Sequence, residues 1–188
     1  MSNSWDTVLD TDGDKTADPI FYMVGSSLSS WEYVEGIVAR LFGAVVGLGG
    51  HNVIVAQRAL GKVGNSKGRA EIVQEAINTA FLFKPQDAEM TKLKSDLTAY
   101  LSLIGAFSTR RNEIAHGAVT EFMEGLPYKG YFHCAASYNT NKFKTPNPLA
   151  PSYRFNSQTI ARFGAEFAKL HETGTHLLMR TYKVFGPI

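Results

Sequence analysis

The chain has 188 residues, enough for one ordinary domain that buries its core without disulfides or a structural metal. With 44% hydrophobic and 19% charged residues it is neither fibrous nor disordered, and a formal net charge of +2 gives no overall basic character that would argue for nucleic acid. Cys134 is the only cysteine, which excludes an internal disulfide framework and any zinc site built on two thiolates, and fits a reducing, cytoplasmic setting.

Residues 1–28 are polar enough to form a tail or loop, and no basic stretch followed by an apolar run marks a signal peptide. Their run Asp10-x-Asp12-x-Asp14 imitates a calcium loop, but Lys15 stands where glycine is needed and Phe21 where a bidentate glutamate is needed. The first helix is expected from Ser29, where Ser29-x-x-Glu32 forms a capping box ahead of Val34, Ile37, Val38, Leu41, Phe42 and Val45 at helical spacing. Gly36, Gly43 and Gly47 leave room for a neighbouring helix, and Gly49-Gly50 ends the segment. Arg40 and His51 break the most apolar stretch, Ile37 to Ala56, into pieces shorter than the roughly 20 residues of a membrane span. No membrane partner is expected.

A second helix is predicted from Asn52 to about Val63. The third follows Gly64-Asn65-Ser66, puts Ala70, Val73, Ala76, Ile77, Ala80 and Phe81 on one face, and stops before Pro85. Glycines 61, 64 and 68 lack the spacing and the preceding strand of a phosphate loop. The fourth and longest helix starts near Asp87, carries Leu93, Leu97, Tyr100, Leu101, Ile104 and Phe107, and runs into Thr109-Arg110-Arg111-Asn112-Glu113-Ile114-Ala115-His116-Gly117. Over residues 125–156 turn residues and aromatics predict a hairpin-like excursion, with strands at Tyr131 to Tyr138 and Ser152 to Asn156 around Pro146, Pro148 and Pro151. The last helix begins at Ser157 and carries Ile160, Phe163, Phe167, Leu170 and Leu177. Its His171 and His176 are five apart and cannot share a face as zinc-protease histidines do, so they read as surface residues. The fold expected is mostly α, a helical bundle with a β-hairpin-like excursion before the last helix. Residues 29–188 form its single domain.

The end of the fourth helix concentrates the chemistry. Asn112 and His116 are four apart and share a face, and the long side chain of Arg111 reaches over it. Gly117 reads as a left-handed stop that leaves His116 in the last turn, at the negative end of the helix dipole. A guanidinium, an amide and an imidazole at one point suit phosphate chemistry. Glu113 can pair with Arg110 or a nearby lysine, its simplest reading being a solvent-facing helix charge, and Cys134 reads as a buried structural thiol.

This stretch resembles the Arg-x4-6-His motif of the HEPN superfamily, whose helical-bundle members often carry a polar residue directly after the arginine; Arg111, Asn112 and His116 match it with a spacer of four. The resemblance covers residues 29–123 and the last helix. It implies a HEPN-like bundle and a homodimer whose two motifs face one another, a composite site that cuts RNA without a metal ion or other cofactor. His116 would then be general base or acid, Arg111 would stabilise charge on the phosphate, and Asn112 would orient the ring or a phosphate oxygen. The products implied are a 2′,3′-cyclic phosphate and a 5′-hydroxyl, and the setting a toxin–antitoxin or phage-defence system with an antitoxin or other protein partner.

Arg110 also satisfies the family spacing and is a candidate RNA contact. So are Lys129, Lys142, Lys144 and Arg154, which alternate with Tyr128, Tyr131, Phe143, Tyr153 and Phe155 in the excursion, cations for phosphates beside rings for bases. The competing reading of those rings is packing against the bundle. The competing reading of the whole chain is a non-catalytic HEPN-like protein that binds RNA or a nucleotide or scaffolds a protein partner.

Overall fold

The computed structural model describes residues 5–6, 8–47, 51–85, 87–122, 129–136 and 151–186. Five helices occur among them: α1 (Asp18–Val45), α2 (His51–Gly61), α3 (Ser66–Leu82), α4 (Ala88–His116) and α5 (Ser157–Phe185). Three strands, β1 (Gly117–Phe122), β2 (Gly130–Ala135) and β3 (Arg154–Phe155), form an antiparallel sheet in that order. The fold is therefore mostly helical with a small sheet before the last helix, as the sequence leads one to expect.

The chain divides into two compact units, the first made of residues 1–31 and 109–167 and the second of residues 32–108 and 168–188. In the first, Ile20, Trp31, Ile114, Phe132, Phe155, Phe163 and Phe167 are buried, and Trp31 meets Phe167 edge to face with ring centroids 5.0 Å apart. In the second, α1, α3, α4 and α5 contribute Val34, Ile37, Leu41, Ile77, Phe81, Leu97, Ile104 and Leu177. Each such side chain withdrawn from water is worth about 1.5–3 kcal/mol before entropy is charged against it.

Several boundaries follow local chemistry. Asn65 caps α3 by accepting from the Gly68 amide at 2.7 Å, and Asp87 caps α4 by accepting from the Met90 amide at 2.9 Å. α1 ends before Gly47, whose φ of 69° no β-carbon-bearing residue adopts cheaply; the Gly49-Gly50 stop lies outside the described residues.

Two expectations are corrected. α1 begins at Asp18, not Ser29, and the segment before it is docked on the sheet: Leu9 bridges to Arg154, Asp12 to Lys129 and Asp14 to Tyr131. The reason is its acidic run, whose carboxylates serve the start of α5. Asp10 accepts from the Asn156 amide at 2.8 Å and the Thr159 hydroxyl at 3.1 Å, and Asp14 accepts from the Ser157 amide at 2.7 Å and its hydroxyl at 2.6 Å. Two carboxylates thus satisfy donors at the positive end of a 29-residue helix. The second correction is β1, which begins at Gly117 without a loop; Gly117 is not left-handed, and it pairs opposite Ala135 in the register that also sets Phe122 against Gly130.

Candidate functional site

α4 ends in two faces of opposite character. Arg110, Glu113 and Ile114 turn inward: Arg110 and Glu113 are each 5% exposed, and Arg110 Nη2 donates to Glu113 Oε1 at 3.0 Å. Asn112 and His116 are exposed and Arg111 is half-buried. Helical geometry separates the two sets, because residues three and four apart stack on one side while their immediate neighbours turn away.

On the outer face Arg111 Nη1 donates to Asn112 Oδ1 at 3.0 Å, so the guanidinium and the amide are held together. With its oxygen engaged, the Asn112 amide directs its N–H donors elsewhere. His116 follows one turn later as the final helical residue.

Beneath this face the helix end is tied to the sheet. The Glu113 carbonyl accepts from the Tyr153 hydroxyl at 3.0 Å and from His133 Nε2 at 3.1 Å. Burial pushes the His133 imidazole below its ordinary pKa, so it is neutral at pH 7 with its proton on Nε2. Gly117 makes the contact possible, because a β-carbon there would fall 2.3 Å from His133 Nε2 and 2.7 Å from the Cys134 carbonyl. The two are diagonal neighbours across the β1–β2 pair, and a residue without a side chain leaves the imidazole its place.

The other expected RNA contacts separate. Lys129 is exposed at the start of the hairpin's second arm. Arg154 is 7% exposed, donates from Nε to the Asp10 carbonyl and lies over the Phe132 ring at 5.4 Å, so its guanidinium works inside the chain, as does that of Arg110. Neither arginine presents its head group to solvent. Tyr153 and Phe155 are buried, their rings stacked with centroids 5.0 Å apart, which makes them core and not base-stacking platforms. Lys142, Lys144, Tyr128 and Phe143 lie outside the described residues.

Glu113 is corrected from a solvent-facing charge to half of a buried ion pair. The Arg110 pairing that the sequence offers as an alternative is the one found, since Arg110, Glu113 and the apolar Ile114 fall on one helix face. His133 and Tyr153 were not singled out as partners of the helix end; His133 comes from β2 and Tyr153 directly precedes β3, in a pairing whose register the sequence does not reveal. Cys134 is buried as expected, and its burial pushes the thiol up to about 12, which keeps it protonated at neutral pH.

Comparison with protein-family models, curated proteins and solved structures returns no match to this chain. Among the described residues no helix is long and apolar enough to cross a membrane.

Proposed function

We propose that the chain is a HEPN-like, metal-independent endoribonuclease that works as a homodimer, with Arg111, Asn112 and His116 of two copies forming one composite site. The observation that carries this reading is the pairing of Arg111 with Asn112 one turn before an exposed His116, on a helix end held in place from behind by His133 and Tyr153.

The chemistry follows from those groups. One imidazole removes the proton of a ribose 2′-hydroxyl, the oxygen attacks the adjacent phosphorus, and the bond to the 5′-oxygen breaks as a second imidazole supplies its proton. Arg111 offers a two-pronged donor to the oxygens that gain charge. A cyclic phosphate and a 5′-hydroxyl result. Two imidazoles in opposite protonation states are needed, and one copy supplies a single His116, which is the argument for a dimer. Under the same reading RNA is the substrate and an antitoxin-like protein that covers the site is the natural partner.

The test is cleavage of a mixed single-stranded RNA pool in EDTA, with oligomeric state measured by sedimentation. Wild type should yield cyclic-phosphate ends, and His116→Ala should lose at least about a hundredfold in rate while keeping its fold and its dimer. A folded wild type that cuts no RNA overturns the enzymatic reading in favour of a binding or scaffolding protein.

A further inference from the structure

In the second unit α4 and α5 run antiparallel, Asp96 facing Arg180 and Tyr100 facing Gly174. Between them lies a groove of about 350 Å³, a volume suited to a small ligand. α5 lines it with Thr173, His176 and Arg180, and α4 with Asp96, Ala99 and Leu103. Thr173, His176 and Arg180 follow one another at intervals of three and four, so their side chains form one polar row along the groove. Ala99 and Leu103 make the opposite wall, and the small side chain of Ala99, itself exposed, keeps the groove open.

The polar row is set up for an anion. Arg180 Nη1 donates to Asp96 Oδ2 at 2.7 Å, and Lys92 Nζ reaches the two oxygens of the same carboxylate at 3.0 and 3.1 Å. Arg180 and Lys92 together hold the Asp96 carboxyl below its usual range, so it stays ionised. Two cations thus share one carboxylate and leave a net positive charge. Asp96 engages one nitrogen, Nη1, of the planar guanidinium, which carries further donors on Nε and Nη2. His176 stands one turn away and Thr173 a further turn, and neither side chain is hydrogen-bonded to another described residue. A guanidinium and an imidazole one turn apart can each reach an oxygen of the same phosphate, the guanidinium offering more than one donor.

We propose that this groove binds a small phosphomonoester, its phosphate on Arg180 and His176 and its apolar body against Ala99 and Leu103. The proposal is independent of the ribonuclease reading, because it shares no residue with Arg111, Asn112 or His116.

The experiment is an NMR titration of the full chain with phenyl phosphate and, separately, inorganic phosphate, following the His176 ring and the Arg180 Nε–H. Both probes should shift these signals saturably, phenyl phosphate at the lower concentration because its ring gains the apolar wall. Arg180→Gln should weaken phenyl phosphate about tenfold or more, and His176→Gln, which leaves the Asp96 pair intact, several-fold. Ala99→Leu should erase the advantage of phenyl phosphate over inorganic phosphate by filling the wall, and His116→Ala should change neither. No saturable shift at His176 overturns the proposal, as does binding that survives both Arg180→Gln and His176→Gln in folded protein. Shifts that move instead to His116 would assign the phosphate to the motif and overturn it too.

Discussion

Tyr153 and Tyr100 are both buried, and they are buried in different ways. The Tyr153 hydroxyl donates to the Glu113 carbonyl at the end of α4, among a buried ion pair and a neutral histidine. The Tyr100 hydroxyl has no hydrogen-bond partner among the described residues; it is pressed against α5, where Gly174 has no side chain to obstruct it. Burial pushes the Tyr100 phenol well above its ordinary pKa, as expected of a hydroxyl kept from water, with Glu35 adding to the effect. The first region is held by directed polar contacts and the second by fit. A polar network fails when a partner is deleted, and a fitted contact fails when volume is added.

The sharpest way to break the polar side is Arg110→Met. It removes the Arg110 guanidinium from Glu113 Oε1 while the carboxylate stays buried, and should cost about 3–5 kcal/mol in denaturant unfolding. The double variant Arg110→Met with Glu113→Leu should recover most of that loss, because the penalty comes from the stranded charge.

On the fitted side Gly174→Ala is the matching experiment. The added carbon would lie 2.2 Å from the Tyr100 oxygen and 2.7 Å from an Ile37 methyl, and should cost about 1–3 kcal/mol. Tyr100→Phe removes the oxygen and should restore part of the stability of Gly174→Ala, a coupling that a double-mutant cycle measures directly.

The smallest effect separates the two tyrosines themselves. Tyr153→Phe should lose about 1 kcal/mol with its hydrogen bond, whereas Tyr100→Phe should be neutral or slightly stabilising. Equal losses in thermal unfolding at the two positions would erase the distinction.

The helices were legible because apolar spacing and capping residues act locally. Ser66, Ala88 and Ser157 begin their helices beside Asn65, Asp87 and Asn156, all side chains that accept from the first turn. What escaped the sequence was non-local. The acidic run at Asp10 to Asp14 looks like a solvated tail until α5 is brought to it, and β1 looks like the remainder of a bundle until β2 lies beside it. The candidate site was half legible: helical periodicity puts Asn112 and His116 on one face, and the structure adds the contact between Arg111 and Asn112. The inward turn of Arg110 and Arg154 was not legible, because a sequence shows that an arginine is present and not which carboxylate or carbonyl waits for it in the fold.

The acidic cap on α5 also has a schedule. Its hydrogen bonds join residues 143 to 149 positions apart, so the ribosome delivers the carboxylates long before the helix they serve. At about 5–20 residues per second the interval is roughly seven to thirty seconds. For that time Asp10 and Asp14 wait without the helix they cap, and only when residues 156–159 emerge can the earlier segment close on the later one.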